Sequence, residues 1–397
     1  MLPLQAVTPE HLAACVPAIT VAEARKLIAQ VHRGEPISAT SAVRRIAADA
    51  VRAAGHVPEL ELVAETPSAI DPFVKYLLAG ADGARFEAVR IPLENPQRFT
   101  VCVSSQVGCA LGCAFCATGK LGLQRNLAAW EIVEQVRVVR ARLPHGRVHG
   151  VVFQGMGEPL ANLDAVLEAI AVFSEPSALG IDGRAITVCT AGLPAGIRKL
   201  AERAPRVRLG LSIHSVLPER RRSIMPIAKA HALDDVLAAC ADHVRATGLS
   251  PMWAVTLLAG INDSDDDAHA LAARVRAFAA ETGRMPRISI IAYNAIYTAP
   301  PFGGAASPGK AGLAIYTAPP FGGAASPGKA GLAIYSAPPG GAASPGKAGL
   351  AIGPGDPFMR SSREAEYRAA LGIPNHRRYS GGGDVAAACG QLAARDV

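Results

Sequence analysis

The chain has 397 residues, half of them hydrophobic, and a formal net charge of +7 at pH 7. That length suits one large domain or two modest ones with a sizeable core. No apolar run approaches the roughly 20 residues of a membrane span, and the opening stretch has no basic patch before a compact apolar one, so the expectation is a soluble, cytoplasmic protein with no membrane partner. Arginine outnumbers lysine 32 to 8, which permits phosphate binding through the planar guanidinium fork without requiring it.

In chain order, helical spacing of apolar residues over 21–33 (VAEARKLIAQVHR) and 38–55 (SATSAVRRIAADAVRAAG) predicts short amphipathic helices. Residues 1–68 therefore read as a small N-terminal helical module. Residues 69–104 turn strand-like. FEAVRIPL at 86–93 and RFTVCVSS at 98–105 flank the turn residues Glu94, Asn95 and Pro96, giving a β-hairpin-like extension. From 105 to 296 strands and helices alternate. GRVHGVVFQG, RAITVCTAG, VRLGLSIHS, PMWAVTLLAG and RISIIAYN read as strands. LDAVLEAIAVF, GIRKLAER, LDDVLAACADHVRAT and DAHALAARVRAFAAET read as the helices between them. This alternation predicts a parallel β/α architecture, barrel-like or doubly wound.

Residues 297–352 differ in kind. YTAPPFGGAASPGKAGLAI at 297–315 recurs unchanged at 316–334, and YSAPPGGAASPGKAGLAI fills 335–352. Too few apolar residues per unit remain to build a solenoid core, so the segment reads as a disordered Pro/Gly-rich insert. Residues 353–397 form a C-terminal segment.

Of the eight cysteines, Cys109, Cys113 and Cys116 crowd into eight residues as CxxxCxxC. No ordinary disulfide framework does this, and in a chain expected to be cytoplasmic it points to metal or redox chemistry. Three thiolates can hold three irons of a 4Fe–4S cluster and leave the fourth open, as a catalytic metal requires. A zinc site completed by a histidine is the plainer alternative. Phe153 to Pro159 (FQGMGEP) closes a predicted strand. Its glycines let the backbone approach a ligand, and the Glu158 carboxylate suits an ammonium or hydroxyl group. An ordinary tight turn has the same pattern. Cys102 and His214 taken alone read as core residues, Cys15 and Cys240 as structural residues on helices, and Glu87 as a solvated carboxylate.

Further segments carry a resemblance: VCVSSQVGC at 101–109, FCATG at 115–119, RNLAAWEIVEQV at 125–136, GMGEPLANLDAV at 155–166, LSIHS at 211–215 with MPI at 225–227, and DVAAACGQL at 384–392. With them the chain resembles the radical S-adenosylmethionine (SAM) RNA adenine methyltransferases, which methylate C2 of an adenine in ribosomal RNA, together with their C8-methylating relatives. The resemblance covers about 75–296 and 354–392. It implies an α/β fold, a partial (β/α)6 TIM-like barrel with a small N-terminal helical domain. It also implies a 4Fe–4S cluster, two SAM molecules per turnover, an electron donor such as flavodoxin or ferredoxin, 23S ribosomal RNA and transfer RNA as substrates, and a monomeric enzyme. Carried onto matching positions, it makes Cys109, Cys113 and Cys116 the cluster ligands. Gly157, Glu158, Cys189, Ser212, Ile213, His214 and Asn294 become SAM contacts, with Cys189 standing where the family has a serine. Cys389 becomes the methyl-carrying cysteine, Cys102 the resolving cysteine that closes a Cys102–Cys389 disulfide, and Glu87 the proton acceptor.

The chemistry accords with those roles. Carbon 2 of adenine lies between two ring nitrogens and is too electron-poor to attack a methyl donor. A thiolate accepts the methyl instead, and a radical formed on that S-methyl group can add to the ring. The resulting covalent link is released by a second thiol, so two cysteines beyond the cluster motif are needed. The run Arg220–Arg222, just after a SAM-side loop, reads as an RNA-phosphate contact. The chain departs from the family at Ala292–Ala295, which lacks the usual Pro-x-Asn-Pro, at NHRRYSGGGDV (375–385), which replaces an arginine-rich strand, and at the repeat insert, which interrupts a loop near SAM. These departures leave the RNA target and the choice of C2 or C8 open. They leave the chemistry intact, since every cysteine it needs is present; an RNA-binding iron–sulfur protein without catalysis is the alternative of another class.

Overall fold

A computed structural model describes residues 1–296 and 357–393. The expected insert at 297–352 lies outside the described residues, as do the ends of the C-terminal segment. The N-terminal part comprises β1 (Leu2–Pro3), α1 (Pro9–Cys15), α2 (Val21–Arg33), α3 (Arg45–Ala54) and β2 (Gly55–His56). Helix α2 opens with a reciprocal cap between Thr20 and Glu23 and ends at Gly34, whose φ of 72° needs no Cβ. Helix α3 starts seven residues later than its apolar spacing suggests. Glu23 accepts from both the backbone N–H and the guanidinium of Arg44, and Thr40 bridges to Val43, which draws 38–44 out of the helix. Leu12, Leu27, Ile28 and Val51 close a small core separate from the main one.

The main sheet has ten strands. Its antiparallel side holds β3 (Glu61–Pro67), β4 (Val74–Ala79) and β5 (Arg85–Pro92). Strand β3 pairs with β4, so the extension begins near residue 61, inside the stretch expected to be helical. Strand β6 (Arg98–Val103) pairs antiparallel with β5 and parallel with a later strand. It is therefore the first strand of the parallel set rather than the last of the extension, and the expected division at 104 falls after it. A side ribbon, β7 (Gln106–Gly108) and β8 (Leu123–Asn126), brackets the short α4 (Ala117–Lys120).

The alternation then runs α5 (Ala129–Ala141), β9 (Arg147–Phe153), α6 (Leu163–Ser174), β10 (Ile186–Thr190), α7 (Pro194–Arg203), β11 (Arg208–Ser212), α8 (Pro218–Ile224), α9 (Leu233–Thr247), β12 (Met252–Leu257), α10 (Asp265–Thr282), β13 (Arg287–Ala292), α11 (Glu364–Ala370) and β14 (Asn375–Arg378). Order across the sheet is β14-β13-β12-β11-β10-β9-β6-β5-β4-β3. Six β/α units thus line up in parallel and the sheet stays open, a partial barrel of the expected class. Its strands, covered by helices, read as near-continuous apolar runs, as in the fully buried β12. One strand was not legible: β14 is polar along its length, and only its parallel register with β13, Ile288 opposite Asn375 through Ile291 opposite Arg378, makes it a strand.

Candidate active site

Ligands of parallel β/α folds gather at the C-terminal strand ends, and a cavity of about 140 Å³ opens there. Cys109, Cys113 and Cys116 line it from the loop after β6 and β7. Gly157, Glu158, Cys189, Ser212 and His214 line it from the ends of β9, β10 and β11, and Cys389 lines it from the tail. Burial pushes the three loop thiols up, Cys109 to about 11. Thiols so placed become thiolates when a metal binds them. Among the described residues no three His, Cys, Asp or Glu side chains converge on a single ion. Three thiols around one wide cavity fit a polynuclear iron–sulfur group better than a lone zinc.

Local structure explains the strand-end geometry. Gly155 passes so close to the β6 end that a Cβ would lie 2.7 Å from the Val103 carbonyl oxygen, and Gly157 has φ +99° with the Gln106 side chain at 2.6 Å. Glu158 caps the turn that follows. Its carboxylate accepts from the backbone N–H of Leu160 (3.0 Å) and of Ala191 (2.9 Å), tying the end of β9 to that of β10. Burial pushes its carboxyl up, against those two bonds. His214 has φ 57°. Its ring lies 4.5 Å from that of Phe115, on the cysteine loop, and Nδ1 accepts from the Thr256 N–H at 3.1 Å. Burial, then the charge of Arg221, lowers its pKa to about 3, so the ring is neutral with its proton on Nε2.

Four expected site residues sit differently. Ile213 turns its side chain into the main core and is absent from the cavity wall; the alternation of an extended strand end sends it away from its neighbours Ser212 and His214. Asn294 does not line the cavity either. Its amide donates to the Cys389 carbonyl and the Ser380 hydroxyl, both at 3.3 Å, and so holds the tail. Glu87 is fully buried, not solvated. One carboxylate oxygen lies 3.0 Å from Lys75 Nζ, and the other accepts from the Ala393 N–H at 2.8 Å. Cys102 lines a second, small cavity of about 30 Å³, which shares Gln154, Cys389 and Leu392 with the first. All the described cysteines are free thiols; Cys15 is exposed and Cys240 buried, both on helices.

The tail is docked by hydrogen bonds onto the start of α4 and the segment after β13. Ala117 N–H donates to the Gly390 carbonyl (2.7 Å), the Thr118 hydroxyl to the Leu392 carbonyl (2.6 Å), and the Gln391 amide to the Ala295 carbonyl (2.9 Å).

The arginine run divides: Arg220 and Arg222 are partly exposed and ion-paired within the protein, and Arg221 is buried. Arg220 pairs with Asp267 and Arg222 with Glu219. Arg221 is 2% exposed, and its guanidinium gathers the carbonyls of Ala191 (2.6 Å), Ser212 (3.1 Å) and Ile213. It locks together the ends of β10 and β11. Lys75 and Arg378 are polar residues that sequence reasoning passed over, and Arg221 is one to which it gave another role. A lysine inside the apolar run FVKYLLA was the one available signal.

Residues 103–275 match the Radical SAM superfamily. The chain is 52% identical over 396 residues to a protein of Sorangium cellulosum named "Probable RNA methyltransferase", covering 97% of this chain and 90% of that one. It is 43% identical over 234 residues to a "Probable dual-specificity RNA methyltransferase RlmN" of Gloeobacter violaceus, covering 59% and 64%. Among solved structures it resembles a radical SAM methyltransferase from Sphaerobacter thermophilus, with a TM-score of 0.75 and 28% identity over the whole of both chains.

Proposed function

We propose that this chain, which belongs to the family of radical SAM RNA methyltransferases, methylates C2 of an adenine in 23S ribosomal RNA through a methyl group carried on Cys389. Cys109, Cys113 and Cys116 would hold a 4Fe–4S cluster, and Gly157, Glu158, Ser212 and His214 line the same cavity. That cluster, with SAM bound, supplies a 5′-deoxyadenosyl radical. The protein's own residues do the rest. Cys389 presents its sulfur to the cofactor cavity as methyl acceptor, and Cys102 stands in the adjoining cavity to form a disulfide with it and free the product. Transfer RNA is a second substrate open to the same chemistry, in keeping with relatives named as dual-specificity RNA methyltransferases. Glu87 reads as the holder of the docked tail, since one carboxylate oxygen accepts from the Ala393 N–H while the other is fixed by Lys75 of β4.

The observation that carries this reading is the shared wall. Cys389 lines both the cavity of the cluster cysteines and that of Cys102. The test is Cys389→Ala. It should abolish RNA methylation while iron and sulfide content and reductive SAM cleavage persist; undiminished methylation overturns the reading. Mass spectrometry of the product nucleoside distinguishes C2 from C8.

A further inference from the structure

The second cavity contains a cation, Arg378, that no carboxylate among the described residues pairs with. Strand β14 carries Arg377 and Arg378 side by side, and strand alternation sends them to opposite faces. Arg377 points outward and pairs with Glu364 at 3.0 Å. Arg378 points inward, is 4% exposed, and lines the cavity with Cys102 and Cys389. Its Nη1 is buried with no hydrogen-bond partner, and among the described residues no carboxylate pairs with it. A buried, unpaired guanidinium costs several kcal/mol. A fold carries such a cost where an anion forms during function.

The neighbouring groups leave one kind of anion. The acids nearby are committed: Glu87 to Lys75 and the Ala393 N–H, and Asp71 to the Tyr379 hydroxyl and the Gly382 N–H, each at 2.8 Å. From β9 the neutral Gln154 faces the space. What remains are thiols: Cys102 on β6, Cys389 on the tail and Cys189 on β10. Cys102 is fully enclosed. Burial pushes its thiol above the ordinary thiol range, the thiols of Cys389 and Cys189 act in the same direction, and the charge of Arg378 opposes them.

We propose that Arg378 is a positioning residue for the release step, holding the sulfur of Cys102 as the thiolate that attacks Cys389. The inference rests on the roles proposed above for the two cysteines. In that step an electron pair of the Cys102 thiolate forms the S–S bond. The bond from Cys389 sulfur to the methylene on the adenine breaks, and its pair stays on carbon, which takes a proton to become the methyl group. The two sulfurs are oxidised to a disulfide and the carbon is reduced by the same two electrons. Without a cation beside it, a buried Cys102 would stay protonated and non-nucleophilic.

Two measurements on the cluster-loaded enzyme test this. In a Cys15→Ser background, Cys389 is converted to its mixed disulfide with an aromatic disulfide reagent, and the second equivalent of chromophoric thiol, expelled when Cys102 attacks, is timed against pH. Arg378→Met should slow that release on the order of ten-fold at pH 7, with the loss recovered as pH rises by about one to two units. Arg378→Lys should restore much of the rate. During turnover with total RNA from cells lacking the gene, Arg378→Met should accumulate the gel-shifted protein–RNA adduct that Cys102→Ala traps.

An unchanged rate and pH profile for Arg378→Met overturns the proposal. So does weaker RNA binding with no adduct, which would make Arg378 a contact to RNA. If Cys102→Ala itself traps nothing, the parent mechanism fails, while the timed thiol release still decides the role of Arg378.

Discussion

The two cavities that meet at Cys389 are built on opposite principles. In the larger one three polar side chains at the strand ends are already tied to the protein's own backbone. Glu158 accepts two backbone N–H groups, His214 accepts the Thr256 N–H, and Arg221 behind the wall collects three carbonyls. Such a wall is rigid before any ligand arrives, as a site for a cofactor that must be held in one orientation needs. The smaller cavity sets apolar side chains beside two thiols, Gln154, Tyr379, Ser380 and a guanidinium whose Nη1 has no partner among the described residues. It is complete only when an anion is present. The difference teaches that the same tail serves a preorganised chamber on one side and a transient one on the other. The tail is latched between them by Glu87, Asn294 and the start of α4.

The largest effect expected beyond the loss of Cys389 is at the latch. Lys75→Met leaves Glu87 as an uncompensated buried charge and should cost roughly 3–5 kcal/mol, read as a large fall in Tm. Lys75→Met with Glu87→Met should recover most of it. If the single variant is as stable as the parent, the pair does not anchor the tail.

Arg221→Met should rank next. It strands buried carbonyls of Ala191, Ser212 and Ile213, at a cost of about 2–3 kcal/mol. SAM affinity should fall about ten-fold while cluster content stays normal. Unchanged SAM affinity would mean that the larger cavity's rigidity does not depend on this clamp.

A third effect lies away from both cavities. Burial, then the charges of Arg137 and Arg140, lowers His32 to about 3, and burial lowers His243 to about 4, both from 6.5. The unfolded chain therefore takes up these protons first as pH drops. Stability is full above pH 6.5 and is lost on the way down toward pH 4, by about 1.4 kcal/mol per pH unit for each histidine. Thermal unfolding between pH 7 and 5 checks this, and His32→Leu should flatten the decline. The smallest effect expected is that of deleting 297–352. The flanks are held independently: Ala295 by Gln391, Met359 by Ala259, and Ser361 by Asp263 at 2.6 Å. A Tm shift of a few degrees at most should result.

Local pattern alone was enough for much of this molecule. Helix α9 spans the residues that its apolar period marks, 233–247. The strands β9 to β13 announced themselves as apolar runs between amphipathic helices, and three cysteines in eight residues declared a metal-loop chemistry, because each of these signals is carried by neighbours in sequence. What only the tertiary structure decided depends on partners far away in the chain. Glu87 is a buried latch because Lys75 and Ala393 close on it. Arg221 is a clamp and not an RNA contact because the carbonyls of two strand ends converge there. Strand β14 exists because β13 offers it an edge. No periodicity encodes such meetings, since burial turns an ordinary surface charge into a structural or functional one only when the whole fold has removed it from water.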